Sequence, residues 1–437
     1  MEILLVFILS LVFIFLLAFS RQVPIFVVLL CGAVLFGLLS GAGLDATLKS
    51  AVTGMGNTFA GFAVIVLSGV VVVRLLSDQG LLEVMVQGIR QRIKSPRIAA
   101  GILGWILAVP ITCPIATYWV LAPVLKNVEP EKVRANTLLY MAAIGGIISY
   151  ILVYPTPVTM PLFAAFAGDF SAMAFDVLTI PLSFTLFMLL AGVSGWWYLD
   201  CTGTGMQESS PGRALKEGKK PSAGEHVRAW APFIVIIAAI PVGLVLLGLS
   251  HAGIMQFIML AGLITALALA PRDVRMSGFT EGTKTAGLVL FDICAAGAFG
   301  AIVVKSDLGP AALNLLVPVL PDILIPFLLA AILATAQGGR VVTAVVTAQI
   351  LGATPLGATI HPLPIILSVA AGSCIVCHLT DPFFWSVQRT TGDDTWTVLR
   401  NYSVPLACTG IAIFITTVML VTFAFPYQED AVLALLH

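Results

Sequence analysis

One arginine stands in the middle of a long apolar stretch, directly after a pair of glycines. The stretch reads Ala336-Gln337-Gly338-Gly339-Arg340-Val341-Val342-Thr343. A charge at membrane depth is costly, so such an arginine usually faces a cavity or a partner. Its planar guanidinium suits a carboxylate, and the glycines allow a ligand to approach the backbone closely. We therefore predict that Gly338, Gly339, Arg340 and Thr343 bind substrate; the alternative is an interfacial Arg340 that snorkels.

Further along the same half, a second polar group occurs in His378-Leu379-Thr380-Asp381. His378 and Asp381 are three residues apart, so they share one face if the segment is helical. Because histidine titrates near neutrality, we predict that the pair carries a coupling proton. Two alternatives are Na⁺ held by Asp381, Thr380 and carbonyl groups, and a surface helix end without a transport role. Asp292, an acid inside another apolar run, is a secondary candidate for ion coupling.

In the first half, Pro110 and Pro114 interrupt an apolar segment. Each proline removes a helical hydrogen bond and clashes with the preceding turn, so the helix should open around Ile111-Thr112-Cys113. The backbone N–H groups that start the next half-helix would then favour an anion. We predict that Thr112, Cys113 and Thr117 contribute to substrate binding. The alternative is a proline kink in a packed helix.

Three more positions complete the predicted substrate site. Thr156 lies in the broken stretch Tyr154-Pro155-Thr156-Pro157, and Gly372 and Ser373 lie in Ala371-Gly372-Ser373-Cys374. Irregular backbone at membrane depth persists only where it is buried in protein or lines a cavity. We therefore expect these residues to face the same interior as the proline and glycine breaks.

The interruptions recur at one offset, which indicates an internal duplication. Ser77-Asp78-Gln79-Gly80 and Ser306-Asp307-Leu308-Gly309 each end a long apolar run and lie 229 residues apart. At the same offset, 108–114 lines up with 337–343, and 154–157 lines up with 383–386. Duplicated halves with interrupted hydrophobic segments are the pattern typical of a secondary transporter.

The composition of the chain is that of a membrane protein. It is 59% hydrophobic and 10% charged, with a mean hydropathy of +1.05, whereas a soluble protein of this length needs far more polar surface. Runs at 1–20, 23–39 and 59–76 are long enough to cross about 30 Å of hydrocarbon as helices. We predict an all-α polytopic membrane protein. Zero net charge suggests no nucleic-acid partner, and scattered cysteines predict neither a metal nor another cofactor.

The polar stretches divide the chain into five predicted regions. These are N-terminal transmembrane helices at 1–53, a first transport repeat at 54–200, a polar linker at 201–228, further transmembrane helices at 229–280, and a second transport repeat at 281–437. The linker and a basic stretch at 88–97 belong on the cytoplasmic side by the positive-inside tendency, and a short interfacial helix is predicted at 81–93. If each repeat has an odd number of crossings, the two repeats are inverted.

Several short motifs resemble those of the gluconate permease family, which are proton-coupled symporters of gluconate and related small organic acids. Ala336-Gln337-Gly338-Gly339 is similar to that family's AQGS segment, and Gly297-Ala298-Phe299-Gly300 with Ser306-Asp307-Leu308-Gly309 to its GGAF…SG stretch. Ala371-Gly372-Ser373, His378-Leu379-Thr380-Asp381 and Phe384-Trp385 resemble its GS…SHxND…FW signature. Trp396-Thr397-Val398 and Pro155-Thr156-Pro157 are similar to its TWTV and PPHPGP motifs.

The resemblance implies a homodimer of the wider ion transporter superfamily, with two inverted repeats and paired re-entrant hairpins. It also implies an anion bound where the hairpin tips meet broken helices, with H⁺ as the coupling ion. The chain departs from the family pattern within this site, because Arg340, Cys377, Thr380 and Pro382 stand where a small residue, Ser, Asn and Ser are expected. The added arginine favours a smaller or more strongly charged acid, or an amino acid.

From these observations we expect a symporter of the cytoplasmic membrane that works by alternating access. Its expected substrate is a small organic carboxylate such as gluconate or a related sugar acid or hydroxy acid, and its expected coupling ion is H⁺. The alternatives are a Na⁺-coupled carrier of an amino acid or another carboxylate, and a polytopic membrane enzyme. The sequence has no HExxH or GxSxG motif that would favour an enzyme.

Overall fold

The computed structural model describes most of the chain, and every regular element in the part that it describes is a helix. The described residues are 2–20, 23–90, 93, 95–111, 113–128, 131–168, 170–202, 222–249, 251–308, 311, 320–337, 339–352, 354, 356, 360–375 and 381–425. An all-helical membrane protein is what the sequence predicts. Most of the predicted linker at 201–228 lies outside these residues.

The helices follow one another in a simple order along the chain. They are α1 (Glu2–Ser20), α2 (Ile25–Leu39), α3 (Leu44–Asp78), α4 (Leu81–Arg90), α5 (Pro96–Ile111), α6 (Pro114–Val128), α7 (Lys132–Leu152), α8 (Thr159–Phe166), α9 (Ala172–Thr202), α10 (Ala223–Pro241), α11 (His251–Leu269), α12 (Arg272–Val304), α13 (Leu324–Gln337), α14 (Arg340–Gly352), α15 (Pro362–Ile375), α16 (Pro382–Thr391), α17 (Thr395–Val398) and α18 (Val404–Phe423). π-helical turns follow α10 at Val242–Leu246 and join α17 to α18 at Leu399–Ser403.

Both predicted breaks separate two packed helices. α5 ends at Ile111 and α6 begins at Pro114, so the two prolines open the chain where the sequence predicts. α13 ends at Gln337 and α14 begins at Arg340, which confirms the break at the glycine pair. α5 packs against α6, and α13 packs against α14. The short helix predicted near 81–93 is also present, as α4.

Helices of the two halves correspond in their order along the chain. The long helices α3 and α12 have 35 and 33 residues and pack along each other. The pair α5 and α6 corresponds to α13 and α14, α7 to α15, and α9 to α18, each at nearly the offset seen in the sequence. The chain is therefore built from two similar series of helices. Their inverted orientation stays a prediction.

Five helical segments are long and apolar enough to cross a membrane within the described residues. They are Leu44–Asp78, Lys132–Leu152, Ala172–Val193, Arg272–Val304 and Thr395–Phe423. The helices of the two broken pairs have only 16, 15, 14 and 13 residues. At 1.5 Å per residue they measure about 20–24 Å, which is less than the roughly 30 Å of hydrocarbon. Such short, paired helices fit the re-entrant hairpins that the sequence resemblance implies.

Glycines bring each hairpin into backbone contact with its neighbouring helix. A Cβ placed on Gly104 of α5 would lie under 3.0 Å from the carbonyl oxygen of Ala142 in α7. In the second half, a Cβ on Gly372 of α15 would lie equally close to the carbonyl oxygen of Phe327 in α13. Small residues at such crossings allow membrane helices to pack tightly. Gly372, which the sequence proposed as a substrate contact, therefore forms part of a helix crossing.

We predict that Gly372→Ala lowers the melting temperature of the detergent-purified protein. The added methyl group meets backbone rather than a flexible side chain, so α13 and α15 must separate, at a cost of about 1–3 kcal/mol. The effect is measured by heating samples to a series of temperatures and determining, by size-exclusion chromatography, how much folded protein remains.

Gly287→Ala in α12 is the matched control for this substitution. No described atom lies within 4 Å of a Cβ built there, and alanine favours a helix over glycine. Equal melting temperatures for Gly372→Ala and the wild-type protein would contradict the close crossing of α13 and α15.

Candidate functional site

Arg340 is the first residue of α14 and points into the protein interior. Only 8% of the residue is exposed. Its Nη1 lies 3.2 Å from Oδ2 of Asp381, and its Nη2 donates to the hydroxyl of Tyr402 at 3.3 Å. The break at the glycine pair starts a new helix with this side chain at its first position. The arginine is thus a buried member of an ion pair, and not an interfacial side chain that snorkels.

Asp381 performs two structural tasks with its two carboxylate oxygens. It is the N-cap of α16, and its Oδ1 accepts a hydrogen bond of 2.9 Å from the amide of Phe383. Its Oδ2 accepts from Arg340 and, at 3.1 Å, from the hydroxyl of Tyr402. The residue is 3% exposed. Arg340, Asp381 and Tyr402 therefore form a closed triad of hydrogen bonds.

Aromatic rings surround this triad. The ring of Phe383 lies 5.6 Å from that of Tyr402 and 5.3 Å from that of Tyr118, in both cases edge to face. Phe384 also packs on Tyr402, at 6.4 Å, and all four side chains are fully buried. Because these rings exclude water, the charges of Arg340 and Asp381 interact in a medium of low polarity. Removing either charge would leave the other uncompensated.

The first hairpin reaches the same region through Tyr150. Cys113, which lies in the break between α5 and α6, is buried, and its carbonyl accepts a hydrogen bond of 2.9 Å from Thr117. Tyr150, in the last turn of α7, is close enough to interact electrostatically with both Cys113 and Arg340. The predicted residues Cys113 and Arg340, from the two halves, therefore both lie near Tyr150.

Three helices begin in this region. α6 starts at Pro114, α14 at Arg340 and α16 at Pro382. The ion pair of Arg340 connects α14 to α16, and the contact of Tyr118 with Phe383 connects α6 to α16. The N-terminus of a helix carries partial positive charge and backbone N–H groups that attract anions. Together with Arg340, these helix ends make the region favourable for a carboxylate.

Two threonines of α14 add buried hydroxyl groups. Thr343 and Thr347 are fully buried, and neither hydroxyl has a hydrogen-bond partner among the residues described. They lie three and seven positions after Arg340, which places all three on one face of the helix. A buried hydroxyl without a partner is costly, so both groups are suited to a polar ligand. The sequence singled out Thr343 but missed Thr347.

Thr156 and Ser373 use their hydroxyl groups within the protein. The hydroxyl of Thr156 donates a hydrogen bond of 2.7 Å to the carbonyl of Tyr150. The hydroxyl of Thr159 accepts a hydrogen bond of 3.1 Å from the amide of Thr156. These bonds satisfy backbone groups where α7 ends. The hydroxyl of Ser373 donates to the carbonyl of Ala370, one turn earlier in α15.

Gly339 precedes Arg340 in the break and is half-buried.

Asp292 lies elsewhere and faces the start of α2. It is half-buried, and the amide of Phe26, in the first turn of α2, donates to its carboxylate. An acid at the start of a helix is stabilised by the helix dipole. Asp292 thus interacts with α2 rather than with the triad.

Four further predicted site residues, Thr112, Gly338, His378 and Thr380, lie outside the described residues.

Three residues that matter here were not predicted from the sequence. Tyr402 comes after the recognisable TWTV-like motif, and Tyr150 lies among apolar residues in the last turn of α7, so neither stands out. Asp176 interrupts the apolar run of α9 just as Asp292 interrupts that of α12, so the same signal could have found it. Its carboxylate accepts a hydrogen bond of 2.8 Å from the amide of Tyr154, in the break after α7.

Comparison with known proteins identifies the family of the chain. A family model described as GntP family permease matches residues 1–424. The chain belongs to the GntP permease family. It is therefore a multi-pass membrane transporter and not an enzyme. The resemblance to gluconate permeases noted in the sequence is thereby confirmed.

Individual relatives of this GntP family permease are distant but cover most of its length. It is 26% identical to an uncharacterized permease of Haemophilus influenzae over 89% of this chain and 86% of the relative. It is 24% identical to the low-affinity gluconate transporter of Escherichia coli strain K12, over 84% and 87%. It is 23% identical to the high-affinity gluconate transporter of the same strain, over 82% and 85%.

Two solved transporter structures share the fold at 16% identity. The YdaH transporter of Alcanivorax borkumensis matches with a TM-score of 0.56, over 88% of this chain and 90% of its own. MtrF of Neisseria gonorrhoeae matches with a TM-score of 0.57, over 88% and 86%. At this identity the likeness concerns the fold alone.

We predict that Arg340 and Asp381 are energetically coupled in a double-mutant cycle. Arg340→Ala or Asp381→Ala alone should destabilise the protein by about 3–5 kcal/mol, because each leaves a buried charge without its counter-ion. The double variant should lose less than the sum of the two, by about 0.5–3 kcal/mol. Thermal or denaturant unfolding in detergent measures all four proteins.

The exposed ion pair of Lys49 with Asp45 serves as the control cycle. These residues are one helical turn apart in α3, at 2.7 Å, and both side chains are largely in solvent. Their coupling should be only about 0.3–0.5 kcal/mol. Additive effects of the Arg340 and Asp381 substitutions would show that the two charges do not stabilise each other.

Proposed function

We propose that this permease is a proton-coupled symporter of a small organic carboxylate, such as gluconate or a related sugar acid or hydroxy acid. The observation that carries the proposal is the buried pair of Arg340 and Asp381 at the tip of the second hairpin. The relatives named as gluconate transporters support this substrate class. We further propose alternating access in the cytoplasmic membrane, and a homodimeric assembly.

Substrate binding begins at the guanidinium of Arg340. In the structure its partner is the carboxylate of Asp381. A substrate carboxylate offers the same two oxygens and the same charge, so it can replace Asp381 on the planar fork. The N-termini of α6 and α14 add favourable dipoles at this position. Binding is therefore an exchange of one carboxylate for another on a single arginine.

Proton uptake follows from that exchange. Once the substrate occupies Arg340, Asp381 is left buried among aromatic rings without its cation. An isolated carboxylate at this depth is strongly disfavoured, so Asp381 takes up a proton and becomes neutral. The site then holds Arg340, the anionic substrate and a protonated Asp381, and its net charge is unchanged. Anion and proton thus favour each other's binding, as linkage requires.

The same geometry favours H⁺ over Na⁺ as the coupling ion. Both oxygens of Asp381 already accept hydrogen bonds, and the fixed charge of Arg340 lies 3.2 Å from one of them. A sodium ion at Asp381 would be repelled by that arginine, whereas a proton removes the negative charge without adding a second cation. Uptake that requires Na⁺ at constant pH would favour the alternative of a Na⁺-coupled carrier.

The hydroxyl groups near Arg340 fit a hydroxylated acid. Thr343 and Thr347 lie on its face of α14, buried and without partners among the described side chains, and the hydroxyl of Tyr402 completes the triad. A site built to hydrogen-bond a substrate hydroxyl rejects analogues that lack it, because its own groups then stay unsatisfied. The arrangement therefore favours sugar acids and hydroxy acids over plain fatty acids.

We predict that Arg340→Lys weakens gluconate exchange while the protein remains folded. Lysine keeps the positive charge but loses the two parallel N–H donors, which should cost about 1.5–3 kcal/mol. This corresponds to roughly a tenfold to hundredfold increase in the half-saturating concentration. Counterflow of labelled gluconate into preloaded proteoliposomes measures the change, and size-exclusion profiles control for folding. Unchanged counterflow in Arg340→Lys would remove Arg340 from the binding site.

We predict that Asp381→Asn separates binding from coupling. Asparagine keeps an oxygen for the amide of Phe383, so α16 stays capped, but it cannot bind a proton. Arg340 also loses its competing carboxylate, so gluconate should bind more tightly than to the wild type. Counterflow at equal pH should continue, whereas accumulation driven by a pH gradient should decline. Accumulation at the wild-type level would exclude Asp381 as a proton carrier.

A further inference from the structure

Asp176 holds a backbone amide in the first half that matches the amide held by Asp381 in the second half. It lies in the apolar segment Ala172–Val193 of α9, is half-buried, and accepts a hydrogen bond of 2.8 Å from the amide of Tyr154. The offset of 229 residues matches Tyr154 with Phe383, whose amide donates to Asp381 at 2.9 Å. Matched backbone groups of the two breaks are therefore both held by carboxylates. One carboxylate comes from the break itself, and the other comes from a neighbouring helix.

The two acids differ in how their charge is compensated. Asp381 has Arg340 as its counter-ion, whereas Asp176 has no ion-pair partner within the described residues. α9 packs against α5, α7 and α18, and the titratable side chain that interacts with Asp176 is that of Tyr154, which is not a cation. A carboxylate inside an apolar segment is stabilised by a cation, by hydrogen bonds or by a proton. Asp176 accepts one hydrogen bond and has no cation among the described residues, so a proton can bind it without displacing an ion-pair partner.

Asp176 is connected to the substrate site through the irregular backbone at 153–158. Its carboxylate fixes the amide of Tyr154 at one end of this segment. At the other side, the hydroxyl of Thr156 holds the carbonyl of Tyr150, whose side chain interacts with Arg340. An ionised carboxylate accepts a hydrogen bond more strongly than a neutral one. Protonation of Asp176 would therefore loosen a segment that borders the site.

We propose that Asp176 is a second proton-binding site of the transport cycle, so that two protons move with each carboxylate. The inference rests on the proposed symport, in which Asp381 binds the first proton. A proton from water forms an O–H bond with the Asp176 carboxylate on one side of the membrane and returns to water on the other. The bond to Tyr154 weakens when the proton is bound and is restored when it leaves.

The proton-to-anion ratio tests the proposal in proteoliposomes loaded with the full-length protein. With the membrane potential held at zero, each coupled proton multiplies gluconate accumulation by about ten for a gradient of one pH unit. The wild type should accumulate gluconate about a hundredfold per pH unit, and Asp176→Asn about tenfold. Asparagine can still accept from the amide of Tyr154, so gluconate counterflow at equal pH should continue.

Two further variants show whether the effect belongs to the carboxylate. Asp176→Glu should move more protons per gluconate than Asp176→Asn, because glutamate again offers a carboxylate. Asp394→Asn should keep the wild-type ratio, because Asp394 is an exposed cap of α17. Hydrogen bonding from the side chain of Thr397 holds the pKa of this carboxyl below its usual range, so it stays ionised near neutrality. Like Asp176 it accepts backbone amides, but it is exposed to solvent.

Each outcome separates this inference from the proposed function. Two protons per anion in Asp176→Asn, or one proton per anion in the wild type, overturns the role of Asp176 and leaves the proposed symport unaffected. If Asp176→Asn fails to fold, the proposal remains falsifiable, because a ratio of one proton per anion in the wild type overturns it. No counterflow of any hydroxy acid by the wild type, or accumulation independent of the pH gradient, overturns the proposed symport itself.

Discussion

A buried arginine in a membrane protein needs a counter-ion, and the site of this permease is organised around that requirement. Arg340 begins a helix in the interior, where aromatic rings exclude water, and Asp381 lies 3.2 Å away on the cap of another helix. Tyr402 bonds to both groups from the turn that joins α17 to α18. The broken helices make this possible, because only a helix that starts inside the protein places these groups together.

An ion pair of this kind also provides a way to couple two solutes. In the proposed cycle, a substrate carboxylate replaces Asp381 on the guanidinium, and Asp381 is then neutralised by a proton. The first half contributes no equivalent arginine, since Ile111 stands at the position matched with Arg340. Duplication has thus produced two similar helical frames with different chemistry: an arginine–aspartate pair in one, and an acid without a described cation in the other.

The sequence predicted the helices and their breaks well, because prolines and paired glycines act locally on the backbone. It also singled out Arg340 and Asp381 as unusual charges, because the free-energy cost of a charge at membrane depth can be judged from the residue type and its apolar neighbours in the sequence. Their pairing could not be predicted, because it depends on how α14 and α16 cross. Gly372 resembled a ligand contact but lies at a helix crossing, and the pairing of Asp176 with the amide of Tyr154 depends on how α9 packs beside the break.

The most direct test of the account is the protonation of Asp381 when substrate binds. Infrared difference spectra of the purified protein, recorded with and without gluconate, report the carbonyl band of a protonated carboxyl group. We expect such a band to appear on binding in the wild type and to be absent in Asp381→Asn, while both proteins bind gluconate. If gluconate binds and Asp381 remains ionised, the exchange of carboxylates on Arg340 cannot be the step that couples proton to substrate.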